Sequence, residues 1–275
     1  NLILNDKNEI INFDNLNLDY FDKENVKNKI KIFKKNKEYI VKGSFFNASS
    51  LIKNLLDFNS KDSNFIKINK KFNIDIKRVR LDKDYDLENL VGFLLIKKQK
   101  IFKANLSGQF ESKKKMNFTV NTNNGNKTTT LFLGNAEPIV RKYDFIKGFD
   151  EGELDFYSSS NGNESKSTLK IFNFKLKELP ALTKILTLAS LQGIADILSG
   201  EGIRFSEFEM NFKSNQDLIT IDEIYAIGPA ISILVEGYVE KNKLISLRGT
   251  LVPATTINKF IGSLPVLGNI LVGSK

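Results

Sequence analysis

A few clusters in this chain have the residue types and spacing from which chemistry is commonly built. Asp82, Asp84 and Asp86 alternate with Lys83 and Tyr85 like the first half of a calcium-binding loop. That loop needs a glycine at its sixth position and a closing glutamate at its twelfth. Leu87 and Phe93 stand there instead, so the oxygen cage cannot close. Gly200-Glu201-Gly202 imitates the start of a phosphate-cradling loop but lacks the third glycine and the preceding strand. Asp150, Glu151 and Glu153 bring carboxylates together in a Gly-flanked stretch that reads as a solvated turn, and Ser158, Ser159 and Ser160 offer hydroxyls without a base. The chain contains no histidine and no cysteine. Those absences exclude a Ser-His-Asp triad, imidazole and thiolate metal ligands, and disulfides. The expectation is a non-enzymatic protein without cofactor or metal.

Other binding chemistries fare little better. The net charge is +9, from 41 Lys and Arg against 32 Asp and Glu. Lysine supplies most of it, in a composition rich in Asn, Ile and Phe. A phosphate clamp more often uses the bidentate fork of arginine, so the basicity reads as charge spread over solvated faces. Lys113, Lys114 and Lys115 beside Phe110 and Phe118 form the one candidate nucleic-acid patch, and it carries no recognised binding signature. No nucleic-acid partner is expected. The sequons Asn47-Ala48-Ser49 and Asn117-Phe118-Thr119 are chance products of an Asn-rich sequence. No stretch approaches the roughly 18–20 apolar residues that span a bilayer; 257–272 is interrupted by Lys259, Gly262, Pro265 and Gly268. The opening at Asn1 shows no signal-peptide pattern. The 275 residues suffice for a real core and are expected to be a piece of a longer protein.

The elements that would position any site are mostly strands. Phe72, Ile74 and Ile76 alternate with polar residues, as do Met116, Phe118 and Val120, then Phe172, Phe174 and Leu176. A period of two places apolar side chains on one face of a pleated strand. Phe208, Met210 and Phe212 continue the habit, followed by Ile231, Ile233 and Val235, and by Ile245 and Leu247. Asn124-Gly125 and Asn161-Gly162 favour type I′ hairpins, hence antiparallel neighbours, and Gly228-Pro229 separates two strands. Helix signals are few. Residues 48–58 carry Leu51, Ile52, Leu55 and Leu56 on one face. Residues 180–199 begin with proline and end before Gly200, and 257–270 is interrupted by Pro265. The fold class is mainly β with a few helices, built as repetitive antiparallel strands with one short helix over 1–178 and as helix, strands and a second apolar helical segment over 179–275. Too few helices exist to cover the apolar sheet face. Either the strands close into a sandwich, or an elongated, curved sheet leaves that face to a ligand.

The run from Glu178 through Gly273 resembles the AsmA-like C-terminal region of YhdP- and TamB-type envelope proteins of Gram-negative bacteria. The closest matches are the segment before Leu198-Ser199-Gly200-Glu201-Gly202-Ile203-Arg204-Phe205, the Gly228-Pro229 break, Arg248 to Pro253, and Asn258 followed by Leu264-Pro265-Val266-Leu267-Gly268. A looser similarity starts at Tyr39-Ile40-Val41-Lys42-Gly43. The resemblance implies a bridge-like lipid-transfer protein: an inner-membrane anchor outside this chain, then a periplasmic β-sheet curled into a taco-like groove whose lining carries phospholipid acyl chains toward the outer membrane.

On that expectation the groove wall comprises Phe172, Phe174 and Leu176, then Phe208, Met210 and Phe212, then Ile231, Ile233, Val235, Ile245 and Leu247. Ile257, Phe260, Ile261, Leu264 and Leu267 are the candidates for a membrane interface, where Lys184 and Lys259 would snorkel toward headgroups. Possible further partners are other envelope proteins. The competing expectation is a structural or assembly module of the envelope whose apolar face is core.

Overall fold

The computed structural model describes residues 2–4, 10–50, 69–98, 100–143, 148–177, 200, 202–215, 217–229, 231–240 and 244–253. The expected apolar segments 180–199 and 257–270, the body of the expected helix at 48–58, and Ile257, Phe260, Ile261, Leu264 and Leu267 lie outside the described residues. No helix among the described residues is long and apolar enough to cross a membrane.

A short pair, β1 (Leu2–Leu4) and β2 (Ile10–Phe13), forms its own antiparallel sheet. Fourteen further strands share one open sheet in which sequence neighbours are sheet neighbours, with β3 and β16 at its edges. They are β3 (Asn15–Phe21), β4 (Lys27–Lys35), β5 (Glu38–Asn47), β6 (Lys71–Asp82) and β7 (Tyr85–Lys97). Next come β8 (Lys100–Phe110), β9 (Lys115–Asn123), β10 (Asn126–Leu133), β11 (Phe149–Asn161) and β12 (Glu164–Leu176). The last are β13 (Ile203–Asn215), β14 (Leu218–Ile227), β15 (Ile231–Glu240) and β16 (Leu244–Pro253). The expectation of a β fold holds, as one open sheet. One pair departs from the antiparallel rule: β5 and β6 run parallel, Val41 opposite Ile74. Parallel neighbours require a crossover connection, and residues 48–70 provide its length.

Hairpin chemistry explains most of the order. Asn124 and Gly125 both take positive φ between β9 and β10, as a type I′ turn requires. Asn36 and Lys37 do the same between β4 and β5 without a glycine. The β11–β12 turn is centred one residue later than the Asn161-Gly162 signal. Strand β11 runs through Asn161, and of Gly162 and Asn163 only Gly162 has positive φ, the II′ pattern.

Besides the helical residues Ser49 and Ser50, the described residues contain one α-helix, α1 (Glu137–Tyr143). The Asn135 side chain accepts the Glu137 N–H at 3.2 Å, and Pro138 enters the first turn where no donor is needed. Its Ile139 and Val140 are buried with Leu133 and Ala136. Arg141 lies 5.5 Å over the Tyr85 ring and bonds Glu137 at 2.5 Å, and the Tyr85 hydroxyl also donates to Glu137. Burial, then that hydrogen bond, pushes the Tyr85 phenol well above its ordinary range. The helix is thereby fastened to the β6–β7 hairpin.

By packing, the chain divides into two units: residues 1–143 with 154–165, and residues 144–153 with 166–275.

Candidate functional site: an apolar sheet face

In the first unit, register places one apolar residue of each strand on a common row. Leu16, Ile32, Val41 and Ile74 oppose one another in turn across β3 to β6. Gly92, Leu106, Phe118, Leu131 and Phe156 continue the row across β7 to β11. Directly opposed residues point to the same face. Nine strands thus present one uninterrupted apolar line, eight interstrand steps or roughly 38 Å long at about 4.8 Å each. Its first eight residues are only half-buried; Phe156 is buried.

The strip is bounded along the strands. At one end Phe13, Tyr39, Phe72 and Ile96 form a buried cluster, with Tyr39 tilted on Phe13 at 4.6 Å and stacked on Phe72 at 5.2 Å between ring centroids. The Tyr39 hydroxyl donates to Asn12 Oδ1 at 2.8 Å, so the ring is buried without an orphaned polar atom. At the other end Met116 and Leu133 are buried near α1. The reverse face is mixed: its line runs Asn15, Phe33, Ile40, Asn73, Phe93, Asn105, Thr119, Thr130 and Tyr157, with Thr119 and Thr130 sharing a 2.6 Å hydroxyl bond. One row along, Lys42 pairs with Asp75 at 3.4 Å.

Gly92 is where only glycine fits. Its φ is +136°, and a Cβ would lie 1.9 Å from the Asn105 carbonyl oxygen. The neighbouring Asn89 has φ 52° at a bulge of β7. Bulges bend the strand that carries them.

In the second unit, register gathers much of the expected wall. Phe208 opposes Ala226, Ile233 and Leu251 in turn; Met210 opposes Ile224, Val235 and Gly249. Phe212 opposes Ile221, Gly237 and Leu247, and Ile219, Val239 and Ile245 lie one row beyond. Phe208, Met210, Phe212, Ile231, Ile233, Val235, Ile245 and Leu247 therefore share a face. Their exposure rises toward the edge: Ile231 is fully buried, Ile233 and Val235 are half-buried, Leu247 is 51% and Ile245 68% exposed. Gly237 repeats the device of Gly92, with φ +151° and a virtual Cβ 2.1 Å from the Ser246 carbonyl oxygen.

On β12 the simple alternation fails. Ile171, Phe174 and Leu176 are buried, and Phe172 is only half-buried. Asn173 takes φ 52°, which shifts the phase by one residue, so Ile171 joins Phe174 in place of Phe172. Across on β11, Glu151 and Gly152 also have positive φ, and a Cβ on Gly152 would touch Phe174, Phe149 and Ile171 at 3.0–3.3 Å. Phe174 stacks on Phe149 at 5.4 Å and on Phe205 at 5.2 Å, and meets Phe208 edge-on at 6.5 Å. Sequence reasoning missed Phe149, Ile171 and Phe205; their signal was aromatic content beside Gly152, masked by the paired bulges.

The charged clusters prove structural. Asp86 pairs with Arg80 at 3.0 Å and Asp84 with Arg141 at 3.7 Å. Asp150 pairs with Lys177 at 2.8 Å and Glu151 with Lys175 at 2.7 Å, so these acidic residues sit on strand β11, not in a turn, while Glu151 and Glu153 are exposed as expected. On the reverse face of the second unit Glu209 accepts from Lys170 at 2.6 Å, Tyr225 at 2.7 Å and Asn211 at 2.8 Å. Burial would raise the Glu209 carboxyl, but these donors outweigh it and hold it below the ordinary 4.5. No group of metal-ligating side chains occurs among the described residues.

No family model, curated protein or solved structure matches this chain.

Proposed function

We propose that the apolar face handles lipid: the chain forms part of a periplasmic hydrophobic groove that carries phospholipid acyl chains between the inner and outer membranes of a Gram-negative envelope. The observation that carries this reading is the half-buried line from Leu16 to Leu131. Its roughly 38 Å exceeds the ~30 Å hydrocarbon thickness of a bilayer, which is room for more than one tail. Each methylene withdrawn from water contributes about 0.8 kcal/mol, so tails bind there without specific contacts while polar residues on the reverse face meet solvent. The mechanism is passive: tails are shielded, headgroups stay in water, and direction comes from a gradient or from partners. The resemblance to the AsmA-like C-terminal region supports the same reading and supplies the expectation of an inner-membrane anchor outside this chain.

A second reading, a structural or assembly module of the envelope, draws on the stack of Phe149, Phe174, Phe205 and Phe208. Those rings are buried like an ordinary core and leave no wall open at that point. Lipid mass spectrometry on the chain expressed in a bacterial periplasm and purified without detergent decides between them. Co-purified phospholipid that disappears in folded Leu106→Asp or Ile233→Asp variants supports the groove. A folded parent chain free of lipid favours the structural module.

A further inference from the structure

Across β4 to β8 the basic charge of the first unit gathers on the reverse face of its sheet. One row along from Phe33, Ile40 and Phe93, Lys31 and Lys42 oppose each other directly. On the other side of that line lies Lys35, opposite Glu38, followed by Lys71 and Lys103, each opposite Leu95. Lys97 and Lys100 oppose each other where β7 meets β8. Residues two apart on a strand share a face, which groups Lys35 with Phe33, Lys71 with Asn73, and Lys97 with Leu95. Seven lysines thus stand on these rows against two carboxylates, Glu38 and Asp75. The two apolar rows on the other side of the same strands, through Val41 and through Tyr39, carry only Lys34.

Most of this charge is not neutralised within the chain. In the second unit Lys170, Lys175, Lys177 and Lys213 each pair with a carboxylate. On this face Lys42 pairs with Asp75 at 3.4 Å and Lys71 with Glu38 at 3.2 Å. Lys31, Lys35, Lys97, Lys100 and Lys103 are exposed and have no ion pair among the described residues. Like charges directly opposite one another weaken a sheet, so the pairs Lys31–Lys42 and Lys97–Lys100 gain from a covering anion. Ammonium groups on long apolar stems, without arginine's fork, suit a diffuse negative surface better than one clamped phosphate. Between the lysine rows Phe33, Ile40 and Phe93 are half-buried, with Lys31 5.7 Å over the Phe33 ring and Lys71 5.3 Å over that of Phe93. Apolar tips beside ammonium groups match the headgroup level of a bilayer. A single-stranded nucleic acid needs rings at the spacing of successive bases. Phe33 and Phe93 lie three strands apart, roughly 14 Å, with Ile40 and Asn73 between them.

We infer that this face of the first unit docks on an anionic bilayer surface, its lysines among phospholipid phosphates and its Phe33 and Phe93 rings at headgroup level. The inference goes beyond lipid handling and does not use the apolar strip, which lies on the opposite face. Its test is sedimentation of the whole chain with two kinds of vesicle, at low and at high salt: phosphatidylcholine alone, and phosphatidylcholine mixed with phosphatidylglycerol. The mixed vesicles are expected to bind the chain, and salt to release it. Each lysine near an anionic surface strengthens partition about fivefold. The triple variant Lys31→Gln, Lys97→Gln, Lys103→Gln is therefore expected to bind about a hundredfold more weakly. A control triple with the same change of charge, Lys34→Gln, Lys113→Gln, Lys127→Gln, removes lysines that lie off this face and is expected to bind nearly as the parent does. Thermal melts establish that both triples are folded.

Equal binding of mixed vesicles by the parent and the folded face variant overturns the docking surface. Parent binding that is as strong to phosphatidylcholine alone, or that salt leaves unchanged, also overturns it, because apolar contact then carries the association. A single-stranded oligonucleotide supplies the rival arm. If it binds the parent and is lost in the face variant while mixed vesicles stay unbound, the face serves nucleic acid and the membrane inference falls. Leu106→Asp, on the strip, separates this inference from lipid handling: it is expected to abolish co-purified phospholipid and to keep vesicle binding. Loss of vesicle binding in folded Leu106→Asp would place the contact on the strip and overturn the basic face.

Discussion

The two packing units carry the same alternation of apolar and polar residues to different ends. In the first, eight of the nine residues on the row from Leu16 to Phe156 stay half-buried. In the second, Phe149, Phe174, Phe205 and Phe208 leave water almost completely. In the first unit the row is only partly covered, Leu16, Ile32 and Val41 packing against the cluster of Phe13, Tyr39, Phe72 and Ile96. Branched aliphatic side chains on neighbouring strands sit about 4.8 Å apart and those along a strand nearly 7 Å apart, too sparse a lattice for them to cover one another. Irregular pairing causes the burial in the second. The bulges at Glu151–Gly152 and Asn173 bring rings from separate rows into one patch, with Gly152 vacating the space that Phe174 fills. Bulges are thus one way to turn an apolar sheet face into core; at one end of the strip Met116, Leu133 and Leu154 are buried in unshifted register.

The largest expected effect tests that contrast directly. Phe174→Ala should cost about 3–5 kcal/mol, as for a fully buried aromatic whose cavity cannot collapse. Phe118→Ala, half-buried on the regular row, should cost less than about 2 kcal/mol, because much of its surface already meets solvent or ligand. Urea unfolding of both variants provides the comparison. Equal losses would mean that the strip in the first unit is closed core, and the lipid-handling proposal would lose its carrying observation.

A smaller effect sharpens what the units share. Gly92 and Gly237 occupy corresponding roles, each with a positive φ and a virtual Cβ about 2 Å from a cross-strand carbonyl oxygen. Gly92→Ala and Gly237→Ala should each destabilise by about 2 kcal/mol or more, from the disfavoured backbone region and the overlap together. Thermal melting of the two variants measures it. A neutral Gly237→Ala would show that the second unit's edge strands relax freely, unlike the strands around Gly92.

How much of this was legible in the sequence follows from range. Period-two alternation located β6, β9, β13, β15 and β16, because Phe72, Met116 or Phe208 declares its face through residues two apart. The shared face of Phe208, Ile233 and Val235 was also visible in that pattern. The phase slip on β12 was not, since nothing local distinguishes Asn173 with φ 52° from an ordinary polar strand residue, and Phe172 was placed beside Phe174 as a result. Helix α1 has too few residues to show a helical period, and its Asn135 and Pro138 signals precede an unremarkable stretch. The nine-strand row needs eight registers at once, including the parallel step from Val41 to Ile74, so no reading of single strands contains it. Lys127 is the clearest case: within Asn-Lys-Thr-Thr-Thr-Leu-Phe-Leu it looks like a solvent-facing lysine, and only pairing with Thr122 and Ser160 assigns it to the apolar face.

The smallest expected effect lies at the outer edge of the second unit. Ile245 and Leu247 share a face with Phe212 and Val235 but remain mostly exposed; among the described residues β16 has a strand on one side only. Burial, not residue type, sets the cost of substitution, so Ile245→Lys should change unfolding free energy by no more than about 0.5 kcal/mol. The contrast with Phe174→Ala would then span the whole range of environments on one face, from sealed stack to open rim. A loss above about 2 kcal/mol would have a specific meaning: something in the folded protein covers Ile245, and the edge of β16 is an occupied surface. An added charge on an uncovered edge strand also discourages edge-to-edge pairing. Sedimentation of Ile245→Lys beside the parent at several concentrations would register that benefit as reduced self-association without a change in stability.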